Sequence, residues 1–482
     1  MHSLPFIRVL GICLLLFSGS LLLPIAISLI YQDHEVVHFS LTLLASLVLG
    51  LVLWLPTAGQ SLKLRKLDGF IVVVMLWVIT SMLGSSPFYF GLKMSLADAV
   101  FESVSAFTTT GSTVITGLDS LPKSILFFRQ EMQWLGGIGV VVSAIALLPM
   151  LGIGGMQLFK AESPGPIKDE KLAPRIGRTA QIMWKLYLAM TLACAMLYWS
   201  GGMSLFDAVA HSFSTVSTGG FSTHDANIGF FHSAFIESVA SVFMLIGGVG
   251  FSVHFLVWKQ LALEPYWENE EVRTFLTGVA AIVILVTGAL YFGGSKSTFI
   301  ESFRHAEFTV VSVITSTGLS IDDFSVWPGF LPMLLISIAF IGGCAGSTAG
   351  GMKVIRFIII GKGAGLELQR LSHPHMVKSL RLQGKIVAPK TIDAVRGFFS
   401  IYVASFVVLT IVMMDLGLDS TTAFSAVATC MNNLGPGLGE VATNFASVSD
   451  TGKWVLSFAM LLGRLEVMSV LVLFMPGFWI SR

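Results

Sequence analysis

Four short bends restrict what this chain can fold into. Thr110-Gly111, Thr218-Gly219, Thr317-Gly318 and Leu434-Gly435 each close a short apolar segment and stand between two long ones. The short segments run for roughly ten residues, about half of what a bilayer requires, while the flanking segments are long enough to cross. With 54% hydrophobic residues, 12% charged and a mean hydropathy of +0.81, a soluble globule is excluded. The chain reads as an all-α integral membrane protein.

From Asp68 onward the pattern of long helix, short helix, polar turn and long helix occurs four times, and the glycines of the turns lie 108, 99 and 117 residues apart. The expected divisions are a leading transmembrane pair at 1–66, pore repeat one at 67–152, a loop at 153–178, repeat two at 179–263, repeat three at 264–362, a second loop at 363–390 and repeat four at 391–482. About ten transmembrane helices and four re-entrant half-helices around a pseudo-fourfold axis follow. Leu4 to Ile30, with a single basic residue (Arg8) and no small-residue cleavage pattern, reads as a retained helix. Cys13, Cys194, Cys344 and Cys430 all lie in apolar stretches and read as buried hydrophobes.

Ser95, Ser204, Ser302 and Asp419 are the expected N-caps of the short helices, 16, 15, 16 and 16 residues ahead of their glycines. Ten helical residues advance ~15 Å, so such a helix ends inside the hydrocarbon. Freed backbone is tolerated there only where it lines water or packs on protein. An ion filter meets that condition, because inward carbonyls replace a cation's hydration shell and four helix C-termini add partial negative charge. The candidate filter comprises Thr109, Thr110 and Gly111; Ser217, Thr218 and Gly219; Ser316, Thr317 and Gly318; and Asn433, Leu434 and Gly435. The fourth set lacks the hydroxyls that would hold the other bends from behind.

With a cytoplasmic amino terminus and two crossings per repeat, 22 of the 29 Lys and Arg residues fall on the inner side. The positive-inside rule therefore agrees with four like-oriented repeats whose filters face outward.

The segments Ala106-Phe-Thr-Thr-Thr-Gly-Ser-Thr113, Gln133-Trp-Leu-Gly-Gly-Ile-Gly139, Ser217-Thr-Gly-Gly-Phe221 and Gly342-Gly-Cys-Ala-Gly-Ser-Thr-Ala-Gly-Gly-Met-Lys353 resemble the Trk/Ktr/HKT superfamily of potassium transporters over essentially the whole chain. The resemblance implies a K+ pore in a bacterial cytoplasmic membrane, a homodimer, and a cytosolic TrkA-like regulatory subunit that binds a nucleotide, ATP/ADP or NAD. Plant members with serine in the first filter position favour sodium. Gly111 occupies that position here, which points to potassium.

Gly342, Gly343, Gly346, Gly350 and Gly351, with Ser347 and Thr348, crowd one long helix of repeat three. Glycine weakens a helix by about 1 kcal/mol per residue relative to alanine, so an unwound loop beneath the filter is expected. Close helix packing suits Gly136-Gly137 and Gly247-Gly248. Arg464 stands at the matching depth of repeat four, where a charge marks function by default. It either bonds carbonyls of the 342–351 loop as a gate or forms a structural ion pair, with Glu466 as one partner. Glu102, Glu131, Asp322, Asp323 and Glu440 are expected around the outer mouth, and His211, His254 and His305 show no ligand-like spacing. Lys362 to Lys390 suits either a cytosolic regulator or anionic lipid. Two transport classes remain, a gated pore and a proton- or sodium-coupled symporter or pump-driven conducting subunit. No nucleophile constellation or phosphate loop suggests an enzyme.

Overall fold

A computed structural model describes residues 4–58, 66–151 and 172–480. The basic residues Lys63, Arg65, Lys160, Lys168 and Lys171, and the loop expected at 153–178 as far as Lys171, lie outside the described residues. From Leu172 the chain is already helical.

The leading pair consists of a span from Phe6 to Tyr31 and another from Val36 to Thr57. They approach at Gly11, where an added Cβ would come within 2.9 Å of the Gly50 carbonyl oxygen. Absent side chains let the two backbones touch, a common device in lipid. The outer helices of the four repeats are Lys66–Gly84 with Ser86–Gly91, Leu172–Ser200, Glu270–Phe292 and Pro389–Asp415. Six helices among the described residues are long and apolar enough to cross a membrane, or eight when two bent pairs are each taken as one span. The protein is a multi-pass, helical membrane protein.

Four short helices follow the outer ones: Leu96–Phe107, Leu205–Val216, Phe299–Ile314 and Ser420–Asn432. Ser95, Ser204 and Asp419 cap them as expected. The third differs. Its cap is Thr298, not Ser302, and Glu301 supplies the acidic residue of the first turn. Ser302 instead sits inside the helix, its hydroxyl donating to the Thr298 carbonyl at 3.0 Å. An extra turn thus moves Arg304 and His305 out of the positive end, where they would be disfavoured.

The inner helices show a larger difference. That of repeat one, Lys123–Leu151, is continuous. Repeat two breaks by 99° between Ala234–Gly248 and Phe251–Gln260, and repeat four by 112° between Asp450–Arg464 and Val467–Phe474. Repeat three has Leu331–Ala339 and Val354–Ser372 separated by the glycine-rich stretch. Gly247-Gly248, expected as helix packing, therefore marks a helix end, and the helix expected to finish at 362 runs on to Ser372. Gly136 and Gly137 do serve packing, for a Cβ on Gly136 would stand 1.9 Å from the Phe107 carbonyl oxygen.

Each inner helix also packs on the short helix of the next repeat, and the fourth inner helix returns to Leu96–Phe107 of the first. The repeats thereby close into a ring. One buried core joins repeats two and three, and another joins the leading pair with repeats one and four.

Candidate functional site

All four short helices end in the same way. At each C-terminus one residue adopts the left-handed region: Thr109 (φ 53°), Thr218 (54°), Ser316 (51°) and Asn433 (54°). The amide of that residue bonds a carbonyl three residues back, and the next amide bonds one five back: Thr110 to Ser105 (2.9 Å), Gly219 to Ser214 (2.8 Å), Thr317 to Ser312 (2.8 Å) and Leu434 to Thr429 (2.9 Å). This is a Schellman cap, in which glycine is the usual left-handed residue. Two residues further on, a glycine is left-handed again: Gly111 (φ 81°), Gly220 (85°), Gly318 (79°) and Gly435 (102°).

The pattern corrects the second repeat by one residue. Its bend is Thr218-Gly219-Gly220, so Gly220 is the counterpart of Gly111, and Ser217 is the counterpart of Thr108 and Thr315. Two adjacent glycines made the wrong register look plausible from sequence. The backbone angles distinguish them, Gly220 being left-handed and Gly219 not.

The bends meet. A Cβ on Gly111 would lie 2.3 Å from the Gly219 oxygen, on Gly220 2.1 Å from the Thr317 oxygen, on Gly318 2.0 Å from the Leu434 oxygen, and on Gly435 2.9 Å from the Thr110 oxygen. Each carbonyl abuts the glycine of a neighbour, from repeat one through four and back, and the backbones can approach so closely only because no side chain intervenes.

Hydroxyls hold the rear of the ring. Thr108 and Thr110 share a 2.7 Å hydrogen bond, as do Thr315 and Thr317, and Thr218 donates to the Ser217 carbonyl at 2.6 Å. In the fourth repeat the Asn433 amide replaces a hydroxyl, donating to Thr110 Oγ1 at 2.9 Å and to the Met460 carbonyl at 3.1 Å. Gln133 opens one of the segments that carry the resemblance, but the sequence assigned it no role. Its Nε2 donates to the Gly219 oxygen at 2.6 Å and its Oε1 accepts from the Phe221 amide at 3.2 Å, bracing the second bend from the first inner helix.

The carboxylates expected at the mouth divide. Glu102 is fully buried and pairs with Arg129 at 2.7 Å, while also accepting from Thr113 and from the Val114 amide at 3.0 Å. It fixes the segment after the first bend. Glu131 is buried too. Asp322 is half-buried between Lys296 (2.6 Å) and His305 (3.2 Å), which hold its carboxyl well below the usual carboxylate range, His305 contributing most. Only Asp323 and Glu440 are exposed. His211, His254 and His305 are engaged by Ser222, Tyr266 and Asp322 respectively.

Beneath the ring, residues 340–353 are unwound, with Gly342, Gly346 and Gly351 left-handed at φ 71–73°. The loop lies directly under the bends. Thr348 Oγ1 donates to the Val216 carbonyl at 3.2 Å, the Ser316 hydroxyl accepts from the Gly350 amide, and a Cβ on Gly350 would stand 2.1 Å from the Asn432 oxygen. Its amides also satisfy the broken second inner helix, Cys344 bonding the Gly248 carbonyl at 2.8 Å and Thr348 that of Gly247 at 3.2 Å. Buried polar backbone at this depth must find such partners. Gly343 packs against that same Gly248 carbonyl and Ser347 donates to Cys344.

Arg464 reaches the loop. Its Nη1 donates to the Thr348 carbonyl at 2.7 Å, whereas Glu466 pairs with Arg356 at 2.8 Å. Arg464 is 6% exposed, and its Nε and Nη2 have no hydrogen-bond partner among the described residues.

The crystal structure of the potassium transporter TrkH from Vibrio parahaemolyticus matches with a TM-score of 0.92 and 43% identity, over 99% of this chain and 100% of that one. The family model described as TrkH, cation transport protein, matches residues 36–479. The chain belongs to the TrkH family. Relatives include the Trk system potassium uptake protein TrkH of Salmonella typhimurium, 44% identical over 99% of this chain and 100% of its own. The protein of the same name from Vibrio parahaemolyticus is 46% identical over the full length of both. Members of the TrkH family are transporters, not enzymes.

Proposed function

We propose that the chain takes up potassium through a gated, channel-like pore whose filter is the ring of four bends. The closed circuit of carbonyls at Thr110, Gly219, Thr317 and Leu434 carries the proposal. Four main-chain oxygens at one level can replace the water of a monovalent cation, and four helix C-termini lower its energy further. Potassium is favoured over other cations by the full-length relatives, which are potassium uptake proteins, and by Gly111.

Below the filter the 342–351 loop and Arg464 form the gate. A guanidinium anchored to Thr348, with no carboxylate paired to it among the described residues, repels a descending cation, and the loop itself occupies the path. Opening requires the loop to leave the Ser316, Val216 and Gly247 contacts. The energy for uptake is the membrane potential, worth about 2.3 kcal/mol per charge per 100 mV.

A cytosolic, nucleotide-binding subunit of TrkA type controls that movement, docking on the stretch from Lys362 to Lys390. That stretch presents Leu368, Leu371, Val377 and Ile386 to solvent beside Arg370, Lys378 and Lys385. The functional form is a homodimer in a bacterial inner membrane with the amino terminus cytoplasmic.

Potassium flux into proteoliposomes tests this reading. Arg464→Ala raises leak in the absence of any partner, and flux follows the electrochemical gradient of potassium without any proton or sodium gradient. Unchanged leak removes the gate, and uptake that demands a proton or sodium gradient replaces the pore with a symporter.

A further inference from the structure

Two consecutive carboxylates at the start of the third outer helix grip different parts of the molecule. The helix Glu270–Phe292 is capped by Asn269, whose side chain accepts from the amides of Glu271 (2.9 Å) and Val272 (3.1 Å). Glu271, 3% exposed, turns toward the intramembrane loop. Its Oε1 accepts from the Ala345 amide at 2.8 Å and from the Ile355 amide at 3.1 Å. One oxygen thus holds the middle of the loop and the first turn of the helix that leaves it.

Glu270 turns the other way. It accepts from the Gln383 amide at 2.9 Å and pairs with Lys362. Gln383 and Gly384 form the tip of a small hairpin, Arg381–Leu382 against Lys385–Ile386. Lys362 Nζ also donates to the Arg381 carbonyl at 3.0 Å. Leu380 and Leu382 are buried with Ile355 and Ile359 of the helix that follows the loop. The hairpin is therefore fastened both to that helix and to the turn that carries Glu271.

We infer that this turn mechanically links the hairpin to the loop, with Glu271 as the residue that positions the loop and Glu270 as its hold on the hairpin. The inference rests on reading the loop as the gate. Displacing the hairpin draws on Glu270, shifts the turn, and loosens both amide bonds at Glu271. Charge-assisted bonds to buried amides are among the stronger ones a protein makes, so a loop held by two of them stays shut until the turn moves.

The test uses the full chain in proteoliposomes, with hydrogen exchange read at residues 343–356 and 381–386 and potassium leak read in parallel. Glu271→Ala speeds exchange of the Ala345 and Ile355 amides by about tenfold or more, the change expected for loss of one such bond. Glu271→Gln restores slow exchange, because both bonds use a single oxygen that the amide retains. Such rescue separates positioning from a general loss of fold. Glu270→Ala speeds exchange in the hairpin and also at Ala345. If Glu270→Ala loosens the hairpin and leaves Ala345 unchanged, the link is refuted; unchanged exchange in Glu271→Ala refutes the positioning role. Faster loop exchange in both variants with no rise in leak, in these and in Arg464→Ala, upholds the link and removes the gate reading beneath it.

Discussion

Thr109, Thr218, Ser316 and Asn433 hold a backbone conformation that costs a side-chain-bearing residue about 1–2 kcal/mol, in a cap where glycine is usual. Strain of this kind persists where the surroundings over-determine it. Hydroxyl or amide bonds do so at three of the four, such as Asn433 to Thr110 and Ser316 to Gly350, whereas Thr109 Oγ1 has no partner among the described residues and is held by its cap and its burial. The glycines two positions on face a different constraint, since any Cβ on them meets a neighbouring repeat's carbonyl. Gly220→Ala therefore lowers the potassium-to-sodium permeability ratio by about tenfold or more, the equivalent of roughly 1.4 kcal/mol. Gly219→Ala has a smaller effect, because its Cβ meets only the end of the Gln133 side chain. Reversal potentials of the two variants in planar bilayers compare the glycine that abuts a neighbouring carbonyl with the one that supplies a carbonyl to the ring.

At the scale of the element, each short helix depends on its first turn, since lipid offers its amides nothing. Thr298→Ala removes the cap of the third short helix and destabilises it by about 1 kcal/mol. Ser302→Ala stays within about 0.5 kcal/mol, because that hydroxyl only bonds back within the helix. Thermal unfolding in detergent compares the two. The sequence pointed to Ser302 because its distance from Gly318 matches that of the other caps, and the extra turn carries no compositional mark. The broken inner helices had the same ambiguity. Small residues both let helices approach and let them end, so Gly247-Gly248 looked like Gly136-Gly137. What separates them is the loop of repeat three, whose Cys344 and Thr348 amides take the carbonyls that the break sets free.

For the whole molecule, closure matters most where the last repeat meets the first. Lys453, buried in the fourth inner helix, pairs at 2.6 Å with Asp98 in the first turn of the first short helix. A double-mutant cycle of Asp98→Ala and Lys453→Ala gives a coupling energy of about 1–3 kcal/mol in thermal stability, and a value near zero means that helix packing alone closes the ring. The buried Glu102–Arg129 pair, one turn along the same short helix, is left intact in this cycle.

The periodicity of long and short apolar segments determined the helical membrane class, the four repeats and three of the four caps, because hydrophobic length and capping chemistry are local. It also located the glycine-rich loop and Arg464, since glycine in series and a charge at membrane depth both conflict with a plain helix. Tertiary structure alone decided that Gly220 completes the ring, that Glu102 and Glu131 are buried instead of lining the mouth, and that Gln133 and Glu271 brace the bend and the loop. These depend on which backbones touch across repeats about one hundred residues apart, and no local propensity encodes such contacts.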